Sequence, residues 1–214
     1  MKPATDPLAQ LTEIRAIMER SSRFISLSGL SGVGAGVVAL AGAGAGHWFL
    51  RREYGSAGFL RLLQSTEEER WLVLPYLLLL AALMIGAALA VATFFTVRRA
   101  RRAGLPVWSA LGRRLAISMA IPLITGGLFC LALFTRGAVS LVVPGLLVFY
   151  GLALLNASKY TLDEIRWLGL TQIGLGLAAV LLPGFGLAFF ALGFGLGHIL
   201  YGLLMYNRYE RQEG

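Results

Sequence analysis

The amino-acid sequence predicts an all-α, polytopic membrane bundle of six transmembrane helices. They form tandem hairpin repeats, preceded by a short amphipathic N-terminal helix. Three observations predict this. The first is composition: 57% of the 214 residues are hydrophobic and 14% charged, with a mean hydropathy of +0.72. A soluble domain carries roughly a quarter charged residues, so too few remain here to cover a water-facing surface. The second is length: several apolar runs reach the roughly 20 residues that cross a bilayer. The third is an internal echo. Tyr201-Gly202-Leu203-Leu204-Met205-Tyr206-Asn207 repeats Tyr150-Gly151-Leu152-Ala153-Leu154-Leu155-Asn156 at a period of about 50 residues, the mark of stacked supersecondary units. The chain therefore reads as one transmembrane domain over residues 1–214, with hairpins at about 24–97, 114–156 and 166–207.

Residues 1–23 are polar and of mixed charge. Asp6-Pro7 starts a helix, with Asp as N-cap and Pro in the first helical position. Leu11, Ile14 and Met18 then recur at helical spacing, which reads either as a helix lying on the membrane surface or as a solvated leader. The first span covers residues 24–50. Its Ser28, Gly32 and Gly36 fall four apart on one face, where small residues let a second helix backbone come close. This face is the expected helix-packing and oligomer face.

Residues 51–70 form the longest connection, and Ser65-Thr66-Glu67-Glu68 resembles a capping box for the next span. That span, 71–97, has Pro75 in its first turns and is stopped by Arg98, Arg99, Arg101 and Arg102. A linker with Pro106 and Trp108 follows. The third span, 115–135, contains Pro122, which is expected to kink it. Arg136-Gly137 turns the chain into the fourth span, 138–156. The fifth span runs from 166 to 182, Pro183-Gly184-Phe185-Gly186 turns again, and the sixth ends near Asn207. Arg114 and Arg166 open the third and fifth spans as Arg23 opens the first, which extends the repeat to three copies.

The net charge of +8 is not a nucleic-acid signal, because most arginines flank apolar spans. Counted by side, Lys and Arg favour the side holding Arg98 to Arg102, Arg113, Arg114, Arg166 and Arg208 over the side holding Arg51, Arg52, Arg61, Arg70 and Arg136. The positive-inside rule then puts both termini in the cytoplasm. The single Cys130 permits no intrachain disulfide.

No Asp, Glu, Lys or Arg lies deep inside a span. Ion-coupled transporters and voltage sensors retain such groups for their work, so active ion-coupled transport is not expected. A passive path lined by Gln172, His198, Tyr150 and Tyr201 stays open as an alternative. His47 and His198 lie at different depths and do not flank one haem, so no cofactor is expected. Asn156 and Asn207, the repeat-related pair, are expected to cap helix ends. No metal-ligand cluster, nucleophile elbow or phosphate loop occurs, so no catalytic or metal residue is assigned and no enzyme is expected.

Two resemblances accompany these readings. Met18-Glu19-Arg20-Ser21-Ser22-Arg23-Phe24-Ile25-Ser26-Leu27-Ser28-Gly29-Leu30-Ser31-Gly32 resembles the opening of a family of uncharacterised bacterial multi-span membrane proteins. That resemblance implies a bacterial inner membrane and supplies no activity. Ile173-Gly174-Leu175-Gly176, Pro183, Gly193, Gly197 and Tyr201-Gly202 form a pattern similar to the hairpin repeat of HdeD-type acid-resistance membrane proteins. It implies a six-span, three-hairpin architecture and, by analogy, stress protection. The chain departs from that pattern in its long first outer loop and its Ser-rich first span. The leading expectation is a non-enzymatic membrane protein acting through helix–helix association, with the lipid bilayer and either a second copy or another membrane subunit as partners.

Overall fold

A computed structural model describes residues 28–102, 104 and 109–211. The expected leader helix, Arg23, and the Pro106 and Trp108 linker lie outside the described residues. All described secondary structure is helical: α1 (Gly29–Tyr54), α2 (Gly58–Leu63), α3 (Glu67–Arg102), α4 (Ala110–Thr135), α5 (Val142–Ala157) and α6 (Asp163–Leu181). A last rod joins α7 (Gly186–Phe190), a π-helical segment (Ala191–Gly197) and α8 (His198–Tyr209).

Five stretches are long and apolar enough to cross a membrane: Gly29–Leu63, Glu67–Arg102, Ala110–Thr135, Val139–Tyr160 and Pro183–Tyr209. Helix α6 falls outside that set. It has 19 residues, and Asp163 and Glu164 occupy its first turn, leaving a shorter apolar stretch.

Several boundaries differ from the sequence reading, each for a local reason. Helix α1 runs past residue 50 to Tyr54, because Arg51 and Arg52 in its last turn complement the helix dipole. Gly55, at φ 69°, ends it. The expected long loop is therefore mostly helical, completed by a 3₁₀ turn (Gly55–Ala57) and α2. The capping box is one residue later than expected. The Thr66 N–H donates to Glu69 Oε2 (2.8 Å) and the Glu69 N–H to Thr66 Oγ1 (3.3 Å).

Helix α3 passes through Pro75 and continues through the arginine cluster to Arg102. Arginine is a good helix former and its charge suits a C-terminus, so the cluster ends the apolar span without ending the helix. Helix α4 likewise runs unbroken through Pro122. The turn at Gly137 forms as expected. Gly137 has φ 85°, its N–H reaches the Phe134 carbonyl (3.1 Å), and the Ala138 N–H reaches that of Leu133 (2.9 Å), a Schellman close. Asn156 and Asn207 are helical, not left-handed caps. Asn156 Nδ2 donates to the Ser118 carbonyl (3.0 Å), tying α5 to α4.

Two glycine crossings hold the bundle together. In the first, α1 meets the last rod. A Cβ on Gly202 would lie 2.6 Å from the Gly29 carbonyl oxygen, and one on Gly36 would lie 2.6 Å from that of Gly195. In the second, a Cβ on Gly151 of α5 would lie 2.6 Å from the Gly169 carbonyl of α6, and one on Gly176 would lie 3.0 Å from that of Pro144. Residues rising along one helix meet residues falling along the other, so both pairs are antiparallel, with the contacting residues seven apart along each helix.

Around these crossings, α3 lies on the opposite side of α1, its Val91 and Met84 seated over Gly34 and Gly42. Helix α4 packs on α5, where Phe149 covers Gly126. One apolar cluster (Leu50, Leu62, Val73, Leu74, Phe134, Val139) closes the end formed by α1 to α4. Another (Leu154, Leu162, Ile165, Leu168, Met205) closes the opposite end, among α5, α6 and α8.

Candidate functional site

The π-helical segment reads Ala-Leu-Gly-Phe-Gly-Leu-Gly. Glycine disfavours the regular helix by about 1 kcal/mol per residue, and three in seven let the backbone widen. Such widened turns often mark functional sites. Here the widening supplies an acceptor, the Gly193 carbonyl. Gln172 of α6 donates to it through Nε2 (2.8 Å), and His198 Nδ1 lies 3.3 Å away.

A carbonyl only accepts, so Nδ1 carries the imidazole proton and Nε2 is left to accept. Tyr150 of α5 supplies that donor, its hydroxyl 2.6 Å from Nε2. The chain of bonds runs from Tyr150 through His198 to Gly193, with Gln172 joining from the side. It links α5, α6 and the last rod. Phe194 stacks near His198 (centroids 6.3 Å, interplanar angle 12°) and against Tyr150 (5.0 Å).

Gln172 is fully buried, and its Oε1 has no hydrogen-bond partner. A Cβ on Gly193 would lie 2.5 Å from both Gln172 Oε1 and a Leu147 methyl, so a larger residue there would push both side-chain ends aside.

Three of the four residues expected to line a path, Tyr150, Gln172 and His198, thus come together. Tyr201 does not join them. Its hydroxyl pairs with Thr171 Oγ1 (3.1 Å) on the outer side of α6. Among the described residues, surface grooves of about 550 and 460 Å³ flank the bundle, and neither of these is lined by Tyr150, Gln172 or His198. His47 lines the smaller groove beside Leu40, Gly44 and Phe59, apart from His198.

Ser28, Gly32 and Gly36 form a packing face whose partner is the chain's own last rod. A Cβ on Gly32 would lie 3.2 Å from the Gly202 Cα. Ser28 Oγ donates to Glu210 Oε2 (3.0 Å).

That last contact belongs to an ionic fastening the sequence reading did not find. Glu210 also accepts from the Gly29 N–H at the open N-terminus of α1, and it pairs with Arg99 of α3 (3.6 Å). At the same end, Glu164 pairs with Arg208 (2.9 Å) and accepts from the Tyr209 hydroxyl (3.1 Å). In sequence these residues read as span boundaries and a polar tail. A carboxylate just past one helix end, within reach of another helix's first N–H, was the available signal. Cys130 is buried, with Sγ 3.5 Å from the Val142 carbonyl. Among the described residues no group of three or more His, Cys, Asp or Glu is placed to hold a metal ion.

Apolar spans surrounding a small, internally bonded polar group define a helical membrane protein. No known protein family, curated protein or solved structure matches the chain.

Proposed function

We propose that this is a non-enzymatic membrane protein that acts through helix–helix association, as a homo-oligomer or as an accessory subunit of a membrane complex. It would cross a bacterial cytoplasmic membrane six times, with both termini inside. One observation carries the reading: the state of α3. Its most apolar 18-residue window has no residue buried within the chain. At about 54 Å long, by a rise of 1.5 Å per residue, it spans more than the bilayer. On its outward side Ala82, Gly86 and Ala90 are exposed and four apart, and a Cβ on Gly86 would meet nothing within 4 Å. Small residues at that spacing allow close backbone approach, which drives association where lipid removes the hydrophobic force.

The Ser28, Gly32 and Gly36 face does not serve this role, because it is occupied within the chain. Tyr150, Gln172 and His198 act in this reading as an internal fastening, since Tyr150 bonds His198, and His198 Nδ1 and Gln172 Nε2 meet at the Gly193 carbonyl.

The test is the variant Gly86→Leu. Native mass spectrometry of the protein taken from membranes in mild detergent should show a homo-oligomer or a stoichiometric partner for the parent chain, and loss of it in Gly86→Leu with insertion unchanged. An assembly that survives Gly86→Leu, or a parent chain recovered alone as a monomer, would overturn the proposal.

A further inference from the structure

The smaller groove, about 460 Å³, lies between the second half of α1, the start of α2 and the chain leading into the last rod. Leu40, Gly44 and His47 line it at helical spacing along α1, Phe59 comes from α2, and Phe185 and Ala191 stand opposite. Leu40 forms its floor, next to the crossing of Gly36 with Gly195; a Cβ on Gly195 would press on a Leu40 methyl. From Leu40 to His47 the groove rises about 10 Å along the helix. A Cβ on Gly44 would meet nothing within 4 Å, so its middle is open.

Trp48 marks the level of the mouth. Its ring is 63% exposed, and the Arg52 guanidinium carbon lies 5.7 Å from the ring centroid. An exposed Trp beside Arg at the end of an apolar span is the arrangement of a membrane–water interface. Arg51 is exposed and stands one turn beyond His47 on the same face of α1. Its Cγ lies 3.5 Å from where a Cβ on Gly58 would stand, and Phe59 of the groove wall follows directly, so Arg51 sits at the rim.

This rim offers donors. An imidazole keeps at least one N–H in either protonation state, and a guanidinium has five. Neither His47 nor Arg51 makes a hydrogen bond or ion pair among the described residues. No described residue lining the groove is a carboxylate, and Glu53 falls about 200° round α1 from Arg51. A phosphate therefore finds charge-assisted donors, whereas a choline or ethanolamine cation meets Arg51 and Arg52 of like charge.

We infer that this groove binds an anionic phospholipid. Its phosphate meets Arg51 and His47, and one acyl chain descends over Gly44 to Leu40 while the other stays in the bilayer. The volume is within the range of small-ligand sites. The inference stands on the groove alone and does not depend on how the protein associates.

The experiment is native mass spectrometry of the full chain, delipidated in mild detergent and titrated with phosphatidylglycerol, phosphatidylethanolamine or phosphatidylcholine of identical acyl chains. Two variants leave the fold intact, since Arg51 holds no ion pair and Gly44 faces open space. Arg51→Gln should lower retention of phosphatidylglycerol about fivefold, the size of one basic residue's attraction to anionic lipid, and retention of the other two far less. Gly44→Leu, which fills the middle of the groove, should lower phosphatidylglycerol retention to a similar degree. The corresponding free fatty acid at equal concentration should not displace the phospholipid. Phosphatidylglycerol retention unchanged in either variant, an equal loss of all three lipids in Arg51→Gln, or displacement by the fatty acid would overturn the inference.

Discussion

At the scale of single residues, burial in lipid changes what each polar atom contributes. Hydrogen bonds between membrane helices average about 0.6 kcal/mol and reach about 1.7 kcal/mol. The bond from the Tyr150 hydroxyl to His198 Nε2, at 2.6 Å and shielded by Phe194, belongs near the upper value. Tyr150→Phe should therefore lower stability by about 1–2 kcal/mol, read as a shift of the unfolding transition in detergent. His198→Phe should cost somewhat more, because it also removes the Nδ1 contact to Gly193, and the double variant should cost little more than His198→Phe alone, since the Tyr150–His198 bond is shared. Gln172 differs, because its Nε2 is bonded while its buried Oε1 is not. Gln172→Met gives up one bond and relieves one orphan acceptor, so the same measurement should find it nearly neutral. These residue types were visible in the sequence as the few polar groups deep in apolar spans. Their mutual partners were not, because the π-helical widening that exposes the Gly193 carbonyl has no signature beyond a glycine-rich run.

At the scale of elements, the glycines divide into two groups that look alike in sequence. Gly29, Gly36, Gly195 and Gly202, and Gly151, Gly169 and Gly176, sit where two backbones touch. Gly44, Gly86, Gly127 and Gly174 have open space where a Cβ would stand. Gly202→Ala would press a methyl against the Gly29 carbonyl and the Val33 N–H, both 2.6 Å away. Neither belongs to a flexible side chain, so the helices must part. A loss of about 1–3 kcal/mol is expected, the usual range for overpacking. Gly174→Ala should be neutral or slightly stabilising, because it adds helix propensity without a clash. Thermal unfolding of the two variants side by side checks the contrast. The echo of Tyr150-Gly151 in Tyr201-Gly202 has a physical basis here. Each glycine makes a close crossing, Gly151 onto α6 and Gly202 onto α1, so both crossings join helices from different expected hairpins.

At the scale of the whole molecule, the spatial order of helices departs from the order along the chain. The last rod returns to α1, and Glu210 fastens the two ends by accepting from Ser28 and the Gly29 N–H and pairing with Arg99. Both side chains of that ion pair are mostly shielded (13% and 14% exposed), so solvent screens it little. Glu210→Gln keeps the size and removes the charge from the N-terminus of α1. It should cost about 1–2 kcal/mol, as for partly buried charges at helix ends. Hydrogen exchange at the first turn of α1 should rise in this variant while the α5–α6 crossing stays protected.

Composition and hydropathy by themselves determined that this chain is helical and membrane-embedded, and they located the apolar runs. In lipid every backbone polar group must be satisfied within its own helix, so an apolar run of sufficient length has one solution. Which helix touches which was decided only in three dimensions. Lipid tails and neighbouring helices are equally apolar, so a face of Gly, Ala and Leu carries no mark of what it will meet. The Ser28, Gly32 and Gly36 face turned inward onto the last rod, while the Ala82, Gly86 and Ala90 face was left outside. That choice rests on backbone approach, on side-chain fit across the two crossings, and on a carboxylate 182 residues away from the serine it binds.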